Sequence, residues 1–209
     1  EVVTALRAVS AGFRGWGSAV EVTRPLADGG ELRLRDRTLK VLHRPGHSAS
    51  DTVFYDDGPQ TGQGPILLAA DHLIKHISSN PLLTRPLGAE PGYTGPRPQA
   101  LVAYMQSLAQ TREMELSLVL PGHGPPIVDH VALIDERMRL HRRRAQKIHR
   151  LIEVQPRTAH EIAHELWGNV AVTQAYLTLS EVLGHVDLLL GEDSVVERES
   201  DGVVRFAAA

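Results

Sequence analysis

The chain has 209 residues, with 22 Lys or Arg against 25 Asp or Glu and a net charge of −3, so its bulk charge offers no attraction to a polyanion. It contains no cysteine, which excludes disulfides, thiolate metal ligands and cysteine nucleophiles and suits a reducing, cytoplasmic setting. No apolar run reaches membrane-spanning length, and the length allows one sizeable core or a domain with a smaller one appended.

Residues 1–15 carry Val2, Val3, Leu6 and Val9 at a weak helical spacing, broken by Gly12, Gly15 and Gly17. A turn at Asp28-Gly29-Gly30 precedes Leu32 and Leu34, which alternate with Arg33 and Arg35 and predict a strand. Leu39 and Val41 predict a second strand, which ends at His43. Val53-Phe54-Tyr55 and residues 66–70 predict two more, joined by an exposed loop over 57–65. Residues 76–98 are rich in proline and glycine and hold no period, as in a lid or a substrate wall. Leu101, Tyr104, Met105 and Leu108 predict a helix over 98–111, and residues 116–120 predict another strand. Strands alternating with helices define an α/β domain over residues 1–135.

The composition shifts after residue 135. Arg137, Arg139, Arg142, Arg143, Arg144, Lys147 and Arg150 cluster on a long amphipathic helix, whose apolar stripe is read as Leu133, Leu140, Ile148 and Leu151. The arginines read as its solvated face. Thr158 and Glu161 form a capping box for a helix to Trp167, with Gly168 as its stop. A second helix is predicted over 171–183, and Asp201-Gly202 turns a hairpin between two valine-rich strands. Residues 136–209 thus read as a linker helix and a small winged-helix-like domain.

Three short segments carry the chemistry. Pro45-Gly46-His47-Ser48-Ala49-Ser50-Asp51, Ala70-Asp71-His72 and Pro121-Gly122-His123-Gly124 each follow an apolar, strand-like run. Two imidazoles and a carboxylate suit a borderline metal such as zinc.

In order and broad spacing these segments resemble the metallo-β-lactamase superfamily, in its branch typified by lactamase-like protein 2, which also carries a small C-terminal winged-helix domain. The resemblance implies the second half of an αββα sandwich. It implies two divalent metal ions, zinc by expectation, with His47 on the first metal, His123 on the second and Asp71 bridging them as the catalytic carboxylate. Ala70 stands where that family usually has glycine, a small change. The family's His-x-His-x-Asp-His segment does not occur in the chain, so the full ligand set is expected to need an upstream segment.

Around this set, Asp51 is a candidate to orient a ligand imidazole or cap its own loop. His72 and His76 are candidates to line the cleft or touch substrate. His160-Glu161-Ile162-Ala163-His164 has the form of a zinc-protease helix, but Glu161 is better used by the capping box. The expected activity is hydrolysis of a small ester or thioester by metal-activated water. The alternatives are an endoribonuclease of the same superfamily and a non-catalytic nucleic-acid-binding or interaction protein. Residues 136–209 hold 10 basic and 11 acidic residues, and none of the basic ones falls within 170–190, where a nucleic-acid-reading helix would lie. Nucleic acid is therefore the less favoured partner. The small domain is expected to pack, to dimerise or to wall the substrate site.

Overall fold

The computed structural model describes residues 20–58, 62, 64–79, 81–90 and 92–209, together with isolated positions 4, 7, 8, 11 and 12. Val2, Val3, Leu6 and Val9, on which the first helical reading rests, lie outside the described residues.

Five strands form one sheet in chain order: β1 (Glu31–Arg33), β2 (Thr38–His43), β3 (Thr52–Asp56), β4 (Ile66–Ala70) and β5 (Leu118–Pro121). The first four run antiparallel, and β4 and β5 are parallel. A parallel pair needs a crossover, and helix α1 (Ala100–Arg112) provides it. The α/β reading therefore reduces to one βαβ unit on an antiparallel meander.

Side chains alternate across the strands. Val53, Leu67, Ala69 and Val119 face the helices and pack with Leu101, Tyr104 and Leu108 of α1. The opposite face carries Val41, Phe54, Leu68 and Leu120 in register, with Leu68 36% exposed.

Helix α2 (His130–Val154) starts at Asp129, whose side chain accepts from the Ala132 amide at 2.9 Å. It begins ahead of the compositional shift and serves two cores. Ile134 joins the sheet cluster. Ala145, Ile148 and Ile152 join a second cluster with α3 (Ala159–Trp167), α4 (Val170–Thr173), α5 (Ala175–Gly191) and the hairpin β6 (Val195–Ser200)–β7 (Val203–Ala208). The buried stripe of α2 runs His130, Ile134, Arg137, His141, Ala145, Ile148, Ile152. This corrects the predicted stripe: Leu140 is exposed, while Arg137 and His141 take inward positions as polar residues.

The capping box of α3 forms. The Thr158 hydroxyl accepts from the Glu161 amide at 3.1 Å, and Glu161 accepts from the Thr158 amide at 2.7 Å. Ile162 is buried, Leu166 packs beside it, and His160 and His164 are exposed. The helix predicted over 171–183 is instead a short turn of helix and then α5, which continues through Gly184 to Gly191. A Cβ at Gly184 would stand 3.0 Å from the Leu101 Cβ, so glycine here lets α5 approach α1 closely. Asp201 and Gly202 both take positive φ, as the favoured two-residue hairpin turn requires.

Candidate metal centre

The candidate ligands sit on three connections at one end of the sheet. The loop after β2 holds His47, and its shape is fixed locally. The Arg44 amide donates to the Asp51 carbonyl at 2.8 Å, and the Gly46 amide to the Ser48 carbonyl at 2.9 Å. Asp51 accepts from the Ser48 amide at 3.0 Å and from its hydroxyl at 2.5 Å. Of the two roles open to Asp51, capping of its own loop is the one these bonds describe. The loop lies on α1, where the Ser107 hydroxyl donates to the Pro45 carbonyl at 2.8 Å. A Cβ at Gly46 would fall 2.8 Å from the Tyr104 Cα, so any side chain there would lift the loop off the helix.

Asp71 follows β4, past a register shift between Leu68 and Ala70, and Ala70 takes φ +45°. The Gly122 amide donates to the Ala70 carbonyl at 2.7 Å, and the Ser79 hydroxyl donates to the Asp71 carbonyl. Gly122 is sterically required: its Cβ would meet Asp71 Oδ1 at 2.8 Å. His123 follows directly.

The three side chains converge. His47 Nε2 lies 3.7 Å from Asp71 Oδ2, and His123 Nε2 lies 3.5 Å from Asp71 Oδ1. Each imidazole thus faces a different carboxylate oxygen. These separations exceed ordinary N–H···O distances. Two donors on one tetrahedral zinc stand roughly 3.4 Å apart, so the spacing suits an ion on each side of the carboxylate. Among the described residues no three His, Cys, Asp or Glu close into a metal cage. The side chains of His47 and Asp71 are about one-third exposed, and that of His123 is 74% exposed.

His72 is corrected. Its side chain turns into the core, where Nε2 lies 2.9 Å from the Thr111 hydroxyl and the ring meets Tyr104 edge-on. Burial, and then the Arg44 charge, push it down to about 3. It is a neutral core imidazole and does not line the cleft. His76 is exposed on the segment after Asp71 and is not brought into the cluster. His160 and His164 stay outside it too, with Glu161 held by its cap.

Several supports were not legible. Arg137 is buried and donates to the Lys75 carbonyl at 2.9 Å, so it clamps the segment that follows Asp71. This corrects its reading as part of a solvated face. His141 Nε2 lies 3.3 Å from the Ser78 hydroxyl on that same segment. The only sequence signal for either was a helical spacing from Ile134 and Ile148, which polarity disguised.

The fold is similar to that of solved metallo-β-lactamase proteins. No family model matches the chain. The “Probable metallo-hydrolase YqjP” of Bacillus subtilis (strain 168) is 32% identical over 166 residues, covering 79% of this chain and 49% of that protein. A metallo-β-lactamase family protein from Thermus thermophilus superposes with a TM-score of 0.71 at 25% identity, over 90% of this chain and 55% of the other. A β-lactamase domain protein from Burkholderia ambifaria gives 0.74 at 24% identity, over 92% and 54%. These likenesses extend over most of this chain and are likenesses of fold. The chain spans about half the length of each of these relatives. No helix among the described residues is long and apolar enough to cross a membrane.

Proposed function

We propose that this chain forms the part of a metal-dependent hydrolase that carries the bridging carboxylate, and that the enzyme cleaves a small ester or thioester. The observation that carries this reading is the division of Asp71 between two imidazoles, one per oxygen. His47 and His123 would each hold one of two divalent ions, zinc by preference, and Asp71 would join them. When bound, such ions lower the pKa of water and stabilise charge on a reacting oxygen. The chain's own part is to hold the three donors on fixed strand ends, with Ser79, Gly122 and the Ser48–Asp51 pair setting their positions. Three donors are fewer than two catalytic metals need, so further ligands must come from outside the described residues. The relative's metallo-hydrolase name supports the reaction class.

The helices and terminal hairpin support a winged-helix-like reading of the small unit. Its closest tie to the site is the loop after Asp71, so we assign it to walling the substrate cleft, with self-association as a second role. One observation favours RNA as an alternative substrate: Arg139, Arg142, Arg143, Lys147 and Arg150 are all exposed along α2.

The test is a panel on zinc-loaded full-length protein with a His47→Ala control. It comprises acyl thioesters, glutathione thioesters, nitrocefin and single-stranded RNA, with metal content measured in parallel. Thioester turnover lost in the control is expected. RNA cleavage lost in the control, with no thioester turnover, would replace the substrate class and keep the metal centre.

A further inference from the structure

We propose that the cleft beside His47 holds the acyl chain of the substrate, and that this chain is short and uncharged. The inference rests on the hydrolase reading of the same site and adds to it a place for the non-reacting part of the substrate.

The cleft has a volume of about 290 Å³, at the small end for ligand sites. Three segments wall it. Pro45 and Ala49 come from the loop that carries His47, Pro86 and Leu87 from the long loop, and Ala100 and Ala103 from the start of α1. Gly46, the residue before His47, also lines it, so the cleft is built on the loop that carries the first candidate ligand. Among the described residues no charged side chain lines the cleft, and its polar members, Thr84 and Gln99, are neutral. A phosphate or a charged chain end would lose water there without an ionic partner, which is strongly unfavourable. Leu87, by contrast, is 65% exposed at the rim. A hydrocarbon chain in the cleft would cover that surface.

The wall is held in place. The Leu83 amide donates to the Ser180 hydroxyl at 3.1 Å, and the Tyr176 hydroxyl donates to the Leu83 carbonyl at 2.6 Å. Arg97, at the other end of the loop, donates both guanidinium nitrogens to the Asp187 carboxylate. A preformed apolar cleft of limited volume selects by chain length. Each methylene it buries raises kcat/KM roughly fourfold until the cleft is full.

Two measurements on the full-length protein test this. The first is binding of hexanamide and of 6-aminohexanamide by ligand-observed NMR, which needs no turnover. The second is kcat/KM for acetyl, butanoyl, hexanoyl and decanoyl thioesters. Ala103→Leu narrows the cleft, and Leu87→Asp puts a charge on its exposed rim without touching the core. Hexanamide should bind and 6-aminohexanamide should not. Both variants should weaken hexanamide at least fivefold and lower the hexanoyl-to-acetyl ratio of kcat/KM at least tenfold. Equal binding of the two amides, or binding unchanged in both variants, overturns the proposal. Turnover with no chain-length dependence also overturns it and leaves the hydrolase reading standing. Selective hexanamide binding without turnover of any thioester leaves an apolar-chain site in the cleft but overturns its assignment to a thioester substrate.

Discussion

His141 Nδ1 lies 3.2 Å from His185 Nε2, joining helix α2 to helix α5 through two buried imidazoles. The direction of this bond follows from its neighbours. The Glu181 carbonyl can only accept, so His185 Nδ1, at 2.6 Å, carries the proton. His185 Nε2 is then an acceptor, His141 Nδ1 a donor, and His141 Nε2 an acceptor for the Ser78 hydroxyl. Both rings are neutral in this arrangement.

The first prediction concerns acid. Burial, then the neighbouring imidazole, push His141 down to about 4, and burial pushes His185 down to about 4. Unfolded histidines titrate near 6.5. Between these values the unfolded chain takes up protons that the native pair refuses. Stability therefore falls as pH drops from about 6.5 to 4, by roughly 1.4 kcal/mol per pH unit for each such proton, and His72 acts in the same sense. Urea unfolding across that range should show the slope. It should be shallower in the double variant His141→Leu/His185→Leu, and an unchanged slope would clear the pair of responsibility.

The second prediction concerns Gly122. Gly122→Ala sets a methyl against Asp71 Oδ1 and the Ala70 backbone. Metal affinity should fall about 10- to 100-fold, the range for lost support of a ligand, while the thermal midpoint of the metal-free protein changes little. Unchanged affinity by chelator competition would mean that Asp71 is not held by this contact.

The third concerns the Arg97–Asp187 pair. The Asp187 side chain is 3% exposed, so Arg97→Met leaves a buried carboxylate without its partner. The expected loss is about 3–5 kcal/mol. Arg97→Met/Asp187→Leu should recover most of it, as calorimetry on both variants would show.

The fourth concerns Ala70, at φ +45°. A left-handed alanine is strained by roughly 1–2 kcal/mol, and glycine gives part of this back through its larger unfolded entropy. Ala70→Gly should therefore gain about 0.5–1 kcal/mol in denaturant unfolding. A loss would show that the Ala70 methyl contributes packing that outweighs the strain.

The strands and the convergence of the candidate donors were legible for a local reason. Alternation in 38–43, 52–56 and 66–70 ends where His43, Asp71 and the glycine-flanked histidines begin, so pattern and chemistry change together. His72 was misread because sequence adjacency to Asp71 says nothing of direction. The turn after Ala70 sends the two side chains different ways, Asp71 toward His47 and His123 and His72 into the core against Tyr104. Arg137 was misread, and the inward place of His141 was not legible, because a polar residue on a helix reads as surface until its partner is known. Those partners, Lys75 and His185, lie 62 and 44 residues away. Gly184 looks like the end of a helix for the same reason, since only Leu101 explains it.

The ties that hold the long loop have a consequence for the order in which the molecule is made. Leu83 is fixed by Ser180 and Tyr176, at separations of 97 and 93 residues, and Arg97 by Asp187 at 90. The loop bearing His47 is held by its own bonds and by α1, so on an emerging chain it can settle early. The cleft wall must wait for α5, because contacts this distant in sequence form only after the intervening chain exists. Ribosome-bound chains stopped before residue 175 should accordingly hold an ordered sheet beside an open, protease-sensitive segment at 81–98, which closes once synthesis passes Asp187.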